Sequence, residues 1–336
     1  MQNRRIVLAS RPDGVAGLQN FRLESVPSPE PGPGQLLLRT RWLSLDPYMR
    51  GRMSPGPSYA APVEVGEVMT GGTVSEVVQS RAEGFSPGDL VAGGAGWQEL
   101  AVADAAQVQK LDPGLKRPSW ALGVLGMPGL TAWHGLLEIG RPKAGETVAV
   151  AAATGAVGSV VGQIARIKGC RSVGVAGGPD KCRHAVEVLG FDACVDHRAA
   201  DFADQLKAAC PKGIDVYFEN VGGPVLRAVL PLLNDHARVP LCGVIASYNT
   251  ASPDASGVSA DQLLRALLVH RVKLQGFIVS DAFDRMAEFR GEMAAWLAAG
   301  EVRYVEDVTR GLENAPAAFL GLLKGENLGK AIVELA

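Results

Sequence analysis

A run of small residues at the end of an apolar segment is the clearest chemical signal in the chain. Residues 147–158 read T-V-A-V-A-A-A-T-G-A-V-G, in which a strand pattern breaks into small residues and reopens as a helix. Ala153, Gly155 and Gly158 occupy the small positions of G-x-G-x-x-G, where lack of bulk permits a tight turn and close approach of backbone to phosphate. A helix over 156–168 would point its N–H groups and positive dipole end at that phosphate. The run predicts a dinucleotide pyrophosphate site, with an ordinary strand-to-helix turn as the alternative.

The residues after the next predicted strand indicate which dinucleotide would bind. An NAD site usually places Asp or Glu about 20 residues beyond the glycine loop, where the carboxylate holds the ribose 2′-hydroxyl. Here Gly177 and Gly178 stand at that place, and Lys181 and Arg183 follow on the next turn. A cation suits a 2′-phosphate, so the sequence favours NADP(H), although Asp180 lies in the same turn.

Polar residues and glycines follow several of the later predicted strands. These segments are E-N-V-G-G at 219–223, C-G at 242–243 with Y-N at 248–249, and G-F-I-V at 276–279. In an open parallel sheet, ligands bind beyond the carboxyl ends of the strands near the switch point. Three strand ends facing one crevice favour a binding function over plain turn chemistry, which remains the alternative for Asn220 and the glycines.

Two kinds of sequence pattern divide the chain and must position these residues. Short β-like runs between residues 20 and 108, separated by proline and glycine, predict a compact, mostly antiparallel β domain. The runs are 36–39, 63–69, 72–78, 89–91 and 99–102.

From residue 146 onward, apolar strands alternate with helical patterns in the rhythm of βαβ units. The predicted strands are 147–151, 172–176, 193–195, 214–218, 237–241 and 273–277. Six such strands predict an α/β fold with a doubly wound parallel sheet. A last alternating run at 330–333 predicts a strand that returns to the first domain.

Composition and charge argue against two classes of partner. Lys and Arg total 33 against 35 Asp and Glu, without a basic run, so we expect no nucleic-acid partner. No apolar segment approaches the roughly 20 residues that span a bilayer, and the N-terminus lacks the apolar region of a signal peptide. We therefore expect a cytoplasmic protein with no membrane partner.

The cysteine and histidine positions bear on redox compartment and metal binding. The five cysteines have no C-x-x-C spacing, which is typical of a reducing compartment, and small buried hydrophobes are their expected role. Catalytic zinc needs three converging protein ligands, whereas residues 20–108 contain neither Cys nor His. His134 follows that region and is expected to pack on a helix. The sequence predicts a site without metal.

Several motifs resemble the zinc-free medium-chain dehydrogenase/reductases. L-G-M-P-G-L-T-A at 125–132 and A-A-T-G-A-V-G-S-V-V-G-Q at 152–163 carry this resemblance. L-S-L-D-P-Y-M-R at 43–50, F-E-N-V-G-G at 218–223 and G-x-N-x-G-K at 325–330 resemble the branch of prostaglandin reductases, leukotriene B4 dehydrogenases and curcumin reductases. The resemblance runs nearly end to end.

The resemblance implies a domain arrangement and an activity. A GroES-like β domain over 1–125 would be the substrate (catalytic) domain, a Rossmann domain over 126–300 would bind NADP, and residues 301–336 would return to the catalytic domain. The branch uses NADPH to reduce the carbon-carbon double bond of α,β-unsaturated ketones and aldehydes, by hydride transfer to the β-carbon without metal. A small enone or enal substrate and a homodimer are therefore expected.

Carried over residue by residue, the resemblance assigns contacts to the cofactor. The glycine loop meets the pyrophosphate, and Lys181 meets the 2′-phosphate. His197 stands where the family commonly has a tyrosine beside that phosphate, so an imidazole would make the contact in place of a phenol. Arg198 is next to it and would add charge. The residues expected on the cofactor are Ala153, Thr154, Gly155, Ala156, Val157, Gly158, Gly177, Lys181, His197, Asn220, Cys242, Tyr248, Phe277, Val279 and Asn327.

Tyr248 is the candidate catalytic residue, as a donor to the carbonyl oxygen where enolate charge develops, assisted by the cofactor's ribose hydroxyl. A loop aromatic without a catalytic part is the alternative. The expected substrate pocket includes Tyr48, Met127 and Thr131. Packing in the β core is the alternative for Tyr48, and packing at a helix entry is the alternative for Met127 and Thr131.

Two other functions fit the same motifs. An NADPH:quinone oxidoreductase would share the fold and lack zinc, but it would turn over quinones rather than enones. A non-enzymatic NADPH sensor would bind the cofactor without oxidising it. Loss of NADPH absorbance with a panel of enones separates the three.

Overall fold

A computed structural model describes residues 2–249 and 257–335. The chain forms two compact units, one up to Gly123 and again from Glu306 onward, the other Val124–Val305. Within the described ranges we find no helix with the length and apolar character needed to cross a bilayer.

The strands, in chain order, are β1 Gln2–Leu8, β2 Phe21–Pro27, β3 Gln35–Ser44, β4 Thr73–Ser80, β5 Leu90–Gly93, β6 Leu100–Asp104, β7 Gln109–Lys110, β8 Thr147–Ala151, β9 Arg171–Ala176, β10 Ala193–Asp196, β11 Ile214–Phe218, β12 Leu233–Leu241, β13 Lys273–Gly276, β14 Glu306–Arg310 and β15 Lys330–Glu334. The α-helices are α1 Tyr48–Arg52, α2 Met127–His134, α3 Gly158–Ile167, α4 Pro179–Glu187, α5 Phe202–Ala209, α6 Gly223–Val229, α7 Ala260–Val269, α8 Met286–Ala298 and α9 Ala315–Leu323.

The first unit is a mostly antiparallel β structure. Its main sheet runs β14-β15-β3-β4-β5-β7, with β6 also paired to β3, and β1 and β2 form a separate antiparallel pair. β15 pairs antiparallel with β3 and parallel with β14. In its core the rings of Phe21 and Trp97 stack, and the Phe319 ring packs edge-on against both.

One prediction for this unit was wrong, and one pair of strands was missed. Residues 63–69 do not form a strand, because Gly66 adopts a left-handed φ of 93° in a tight turn, so only an isolated bridge joins Val68 to Val7. The pair β1–β2 was not predicted, because the charged residues of β1 interrupt the apolar pattern to which its buried Ile6 and Leu8 belong. Those two side chains belong to the core cluster around Trp97.

The second unit is a six-stranded parallel sheet in the order β10-β9-β8-β11-β12-β13. This is the 3-2-1-4-5-6 order of a doubly wound dinucleotide fold, and the direction of winding switches between β8 and β11. The predicted α/β fold class is confirmed, and β8 and β11 have the predicted bounds. α3 begins at Gly158, two residues later than predicted, so Ala156 and Val157 lie in the loop before it.

Candidate cofactor and active site

The glycine loop after β8 is held open by its backbone conformation. Ala152 is exposed and adopts a left-handed φ of 54°, which is uncommon for a residue with a side chain. Its carbonyl oxygen accepts a hydrogen bond from Gly155 N at 2.9 Å. A Cβ on Gly158 would lie only 2.3 Å from that oxygen, so the helix can begin this close to the strand only with glycine there.

The alanine at the first small position also has a structural reason. Ala153 is fully buried, and its amide donates to Val175 O at 3.0 Å in the neighbouring strand β9. A Cβ built on Gly174 would lie 2.7 Å from Ala153 Cβ. The methyl group of Ala153 therefore takes the space that Gly174 leaves free. The small-residue cradle fits a pyrophosphate, because small residues let a phosphate approach the backbone closely and the loop lies at the positive end of the α3 dipole.

Asn220 spans the switch point of the sheet. Its side-chain amide donates to Ala151 O at 2.9 Å, which joins the end of β11 to the end of β8. The crevice at which ligands bind in such sheets opens here, so Asn220 and the glycine loop share one edge of the sheet.

A buried glutamate, for which the sequence predicted no role, organises the loop after β11. Glu219 is 1% exposed, and its Oε1 accepts from Val221 N at 2.6 Å, Gly222 N at 2.8 Å and the Tyr217 hydroxyl at 3.1 Å. Burial raises the pKa of Glu219 in spite of these donors. The signal for this role was an acid directly before Asn-Val-Gly-Gly at a strand end.

The loop that carries Tyr248 is tied to the same strand end. Cys242 N donates to Glu219 O at 2.9 Å, and Ile245 N donates to Asn220 O at 3.2 Å. The Tyr248 hydroxyl lies 3.3 Å from the position that a Cβ on Gly243 would occupy. Asn220, Cys242 and Tyr248 are therefore brought together, and burial, with the Glu219 carboxylate, raises the pKa of Cys242 to about 12.

A cationic corner, formed by Lys181, His197 and Arg198, lies at the end of β9. A Cβ on Gly177 would be 2.9 Å from His197 Nε2 and 3.1 Å from Arg198 Nε, so both side chains lie over this glycine. Partial burial, then the cations Arg198 and Lys181, lower the pKa of His197, against an opposing effect of Asp196. Burial is the larger cause of this lowered pKa, and the smaller effects of Arg198 and Lys181 show that the three cations lie close together, which fits a phosphate group.

Asp196 holds this corner together. Its Oδ1 accepts from Gly178 N at 2.8 Å and from Arg198 N at 2.9 Å. Burial opposes ionisation, but these two amides lower the pKa of Asp196 overall. The carboxylate of Asp196 is thus occupied by backbone amides. Asp180, the acid that the sequence set against NADP, pairs instead with Arg183 at 3.0 Å.

Other residues expected at the site lie in the second unit, where packing fixes their positions. The Phe277 ring is buried against Phe218 and His134 at centroid distances of 6.2 and 5.7 Å. Thr131 is buried in α2, and its hydroxyl donates to Met127 O at 2.8 Å. Val279 follows β13 and is partly buried.

The first unit contains the remaining expected residues. Tyr48 begins α1, and burial, with the nearby Asp46 carboxylate, raises its pKa. The Asn327 side chain donates to Gly329 O at 2.7 Å. Lys330 is 1% exposed and donates to Leu45 O at 2.6 Å and to Asp46 Oδ1 at 3.1 Å, which fixes the chain directly before Tyr48.

No three His, Cys, Asp or Glu side chains in the described ranges converge as a metal site requires. Freedom from metal stays a prediction.

Comparison with known proteins gives matches over nearly the whole chain. Residues 4–111 match a family model described as the N-terminal domain of oxidoreductase, and residues 156–299 match one described as zinc-binding dehydrogenase. The NADPH-dependent curcumin reductase of Escherichia coli (strain K12) is 56% identical over 100% of this chain and 97% of its own length. Prostaglandin reductase 1 of Bos taurus is 39% identical over 94% of each chain.

This chain belongs to the zinc-free medium-chain dehydrogenase/reductases, in the branch of the curcumin and prostaglandin reductases. The crystal structure of CurA in complex with NADPH from Vibrio vulnificus agrees, with a TM-score of 0.96 and 53% identity over 99% of both chains. The family resemblance drawn from the sequence motifs is confirmed.

Proposed function

We propose that this protein is an NADPH-dependent oxidoreductase that reduces the carbon-carbon double bond of α,β-unsaturated ketones and aldehydes. The observation that carries the proposal is the cationic corner beside the glycine loop of a doubly wound sheet. The relatives' names support it, since one is an NADPH-dependent curcumin reductase and another a prostaglandin reductase.

The cofactor's phosphates meet two different surfaces. The pyrophosphate binds at residues 153–158, where glycine at 158 lets the helix begin close against the strand. The 2′-phosphate binds at Gly177, Lys181 and His197, and Arg198 adds a further cation. Asn220, Cys242, Tyr248, Phe277, Val279 and Asn327 surround the nicotinamide half. When bound, NADPH supplies the hydride.

The protein's own part in the reaction is positioning and polarisation. The Tyr248 hydroxyl donates a hydrogen bond to the carbonyl oxygen of the enone, where negative charge develops during reduction. Glu219 and Asn220 hold the Tyr248 loop through backbone hydrogen bonds, so the donor is positioned before substrate arrives. Tyr48, Met127 and Thr131 line the substrate pocket.

The two units divide the work. The second unit is the NADP-binding Rossmann domain, predicted over 126–300. The first is the GroES-like substrate domain, predicted over 1–125, and residues 301–336 complete it through β15, which pairs with β3.

The protein acts as a cytoplasmic homodimer. Among the strands that the structure describes, β13 lies at an edge of the parallel sheet, and the helix before it, α7, exposes Leu264 and Leu268 to 61% and 79%. An open strand edge beside exposed leucines suits pairing with a second copy. Five free cysteines fit the reducing conditions of the cytoplasm. Light scattering that gives the mass of a single chain would refute the dimer.

Loss of NADPH absorbance with a panel of enones, enals and simple quinones tests the activity. We expect turnover of enones and enals and a product saturated at the former double bond. Faster turnover of quinones with none of enones would instead indicate a quinone oxidoreductase. Binding seen by NADPH fluorescence without oxidation would indicate a sensor.

Replacing Tyr248 with phenylalanine tests the proposed donor. Loss of one hydrogen bond to a developing charge should lower kcat for an enone by about 100-fold. The dissociation constant for NADPH, measured by fluorescence titration, should change little. A Tyr248→Phe enzyme with unchanged kcat and kcat/KM would remove this hydroxyl from the mechanism.

A further inference from the structure

Two cysteines from different elements meet beside the cationic corner. Cys182 lies in the first turn of α4, where its amide donates to Gly178 O at 3.2 Å. Cys194 lies on β10. The two side chains share a hydrogen bond, and both residues are partly exposed.

The sheet register explains why the two sulfur atoms meet. Cys194 is paired with Gly174 across β10 and β9, and a Cβ on Gly174 would lie 3.1 Å from Cys194 Sγ. Cys182 hydrogen-bonds to the backbone of Ala176, two residues further along β9. Because the two side chains hydrogen-bond to each other and Cys182 lies on α4, both sulfur atoms lie on the face of the sheet that α4 covers.

This pair differs chemically from the other cysteines. The hydrogen bond from Cys194 lowers the pKa of Cys182 against the effect of burial, and the same bond raises the pKa of Cys194. The first turn of a helix also favours a thiolate. Burial raises the pKa of Cys170 and of Cys210 to about 11, so those thiols are poor nucleophiles.

The pair is linked by the chain to the residues expected on the 2′-phosphate. Lys181 directly precedes Cys182 in α4. Cys194 lies two residues before Asp196, which holds the amides of Gly178 and Arg198. A covalent bond between the two sulfur atoms would draw the first turn of α4 towards β10. Lys181 would move with it, and small displacements of a phosphate-binding cation weaken binding.

We propose that Cys182 and Cys194 form a redox modification site whose disulfide weakens NADPH binding at the adjacent cationic corner. A peroxide is the oxidant. The Cys182 thiolate attacks one peroxide oxygen, the O–O bond breaks, and hydroxide leaves and takes up a proton to become water, which gives a sulfenic acid on Cys182. The Cys194 sulfur then attacks the Cys182 sulfur, and the second water leaves as the disulfide forms. Overall, two thiols and one hydrogen peroxide give one disulfide and two waters. A small dithiol such as dithiothreitol reverses the change and is itself oxidised to its disulfide.

The proposal rests on the proposed use of NADPH, and its test compares reduced protein with protein treated with hydrogen peroxide. Peptide mass mapping should find a disulfide between Cys182 and Cys194, and the count of free thiols should fall from five by two. The NADPH dissociation constant, from fluorescence titration, should rise by at least about fivefold. NADH binding should change little, and dithiothreitol should restore the original value.

Single-cysteine variants provide the controls. Cys182→Ser and Cys194→Ala should each lose the response to peroxide, whereas Cys210→Ala should respond like the wild type. A disulfide that forms without changing NADPH affinity overturns the proposal, as does peroxide treatment that leaves both thiols free. Reduced protein that binds no NADPH would instead overturn the proposed function, and NADPH binding that responds to peroxide without any enone turnover would overturn only the reductase activity.

Discussion

The glycine loop after β8 and the cationic corner after β9 and β10 prepare for phosphate in opposite ways. In the loop, backbone conformation and missing side chains make the surface, since Gly158 lies against Ala152 O with no room for a Cβ. In the corner, long side chains make the surface, and His197 and Arg198 are exposed. In the proposed binding mode, backbone groups contact the pyrophosphate that NAD and NADP share, whereas side-chain charge contacts the 2′-phosphate that distinguishes them.

This difference indicates what a substitution in each region should change. A substitution in the loop should lower the stability of the fold and the affinity for NADPH and NADH together, because the strand-to-helix connection is part of the core. A change in the corner should alter the choice between NADPH and NADH with little effect on stability, because the side chains there are surface groups.

Gly158→Ala should have the largest effect. The new methyl group would lie 2.3 Å from Ala152 O, so the loop must shift, and we expect the free energy of unfolding to fall by about 3 kcal/mol. NADPH and NADH binding should both be lost, as fluorescence titration would measure. The control is Gly291→Ala in α8, where a Cβ meets nothing within 4 Å and alanine should add about 1 kcal/mol of helix stability. Equal denaturation curves for the two variants would contradict the argument.

Lys181→Met should separate the two cofactors. Removing a charged donor to the 2′-phosphate should raise the KM for NADPH by about tenfold and leave the KM for NADH unchanged. The control is Arg183→Met in the same helix, whose guanidinium is exposed and pairs with Asp180 at 3.0 Å. The measurement is steady-state kinetics with both cofactors. An equal rise in the KM for NADH would show that Lys181 acts on the helix rather than on the phosphate.

His197 should make cofactor preference depend on pH. Its pKa is lowered in the free protein by partial burial and by Arg198 and Lys181, with Asp196 opposing. A bound 2′-phosphate favours the imidazolium and raises that pKa, so binding takes up a proton and strengthens as the pH falls. The ratio of NADPH to NADH affinity should increase by about two- to tenfold from about pH 8 to about pH 6.

His197→Gln provides the reference for that experiment. The variant retains the titration of the phosphate itself, whose second pKa is about 6, but it lacks the imidazole. Subtracting its profile isolates the contribution of His197. Parallel profiles for the two proteins would show that the ring does not contact the phosphate.

Gly177→Ala should have the smallest effect and is the sharpest contrast with Gly158. A Cβ there would approach His197 Nε2 and Arg198 Nε, which are the ends of side chains that can move away. The free energy of unfolding should stay within about 0.5 kcal/mol, and the KM for NADPH should rise about twofold. Destabilisation like that of Gly158→Ala, in urea denaturation, would mean that the corner is as rigid as the loop.

Much of the second unit followed from local patterns. β8 and β11 were predicted to the residue, because a buried parallel strand reads as a short apolar run between turn residues. The strands of the first unit were harder to predict. Residues 63–69 have strand-forming composition, yet the turn at Gly66 prevents a ladder, while β1 is stabilised by a partner about 20 residues away.

The site residues divide in the same way. Lys181 was predicted from charge and spacing, His197 was predicted from the family resemblance, and their contacts with a 2′-phosphate stay a prediction. The anchoring of the corner by Asp196 was not found, because its hydrogen bonds join two parallel strand ends 18 residues apart. The meeting of Cys182 with Cys194 was not found either, since no spacing rule encodes it.

The sequence by itself determined the glycine loop, the six parallel strands and the preference for a cation after β9, because each depends on residues within one or two turns of each other. Tertiary structure alone decided that Asn220 reaches Ala151, that Glu219 holds the Tyr248 loop, and that two thiols touch under α4. These contacts join residues that are far apart in the chain and adjacent only because neighbouring strands pair. Strand order and register set them, and both are settled by packing of the whole unit rather than by neighbours in the chain.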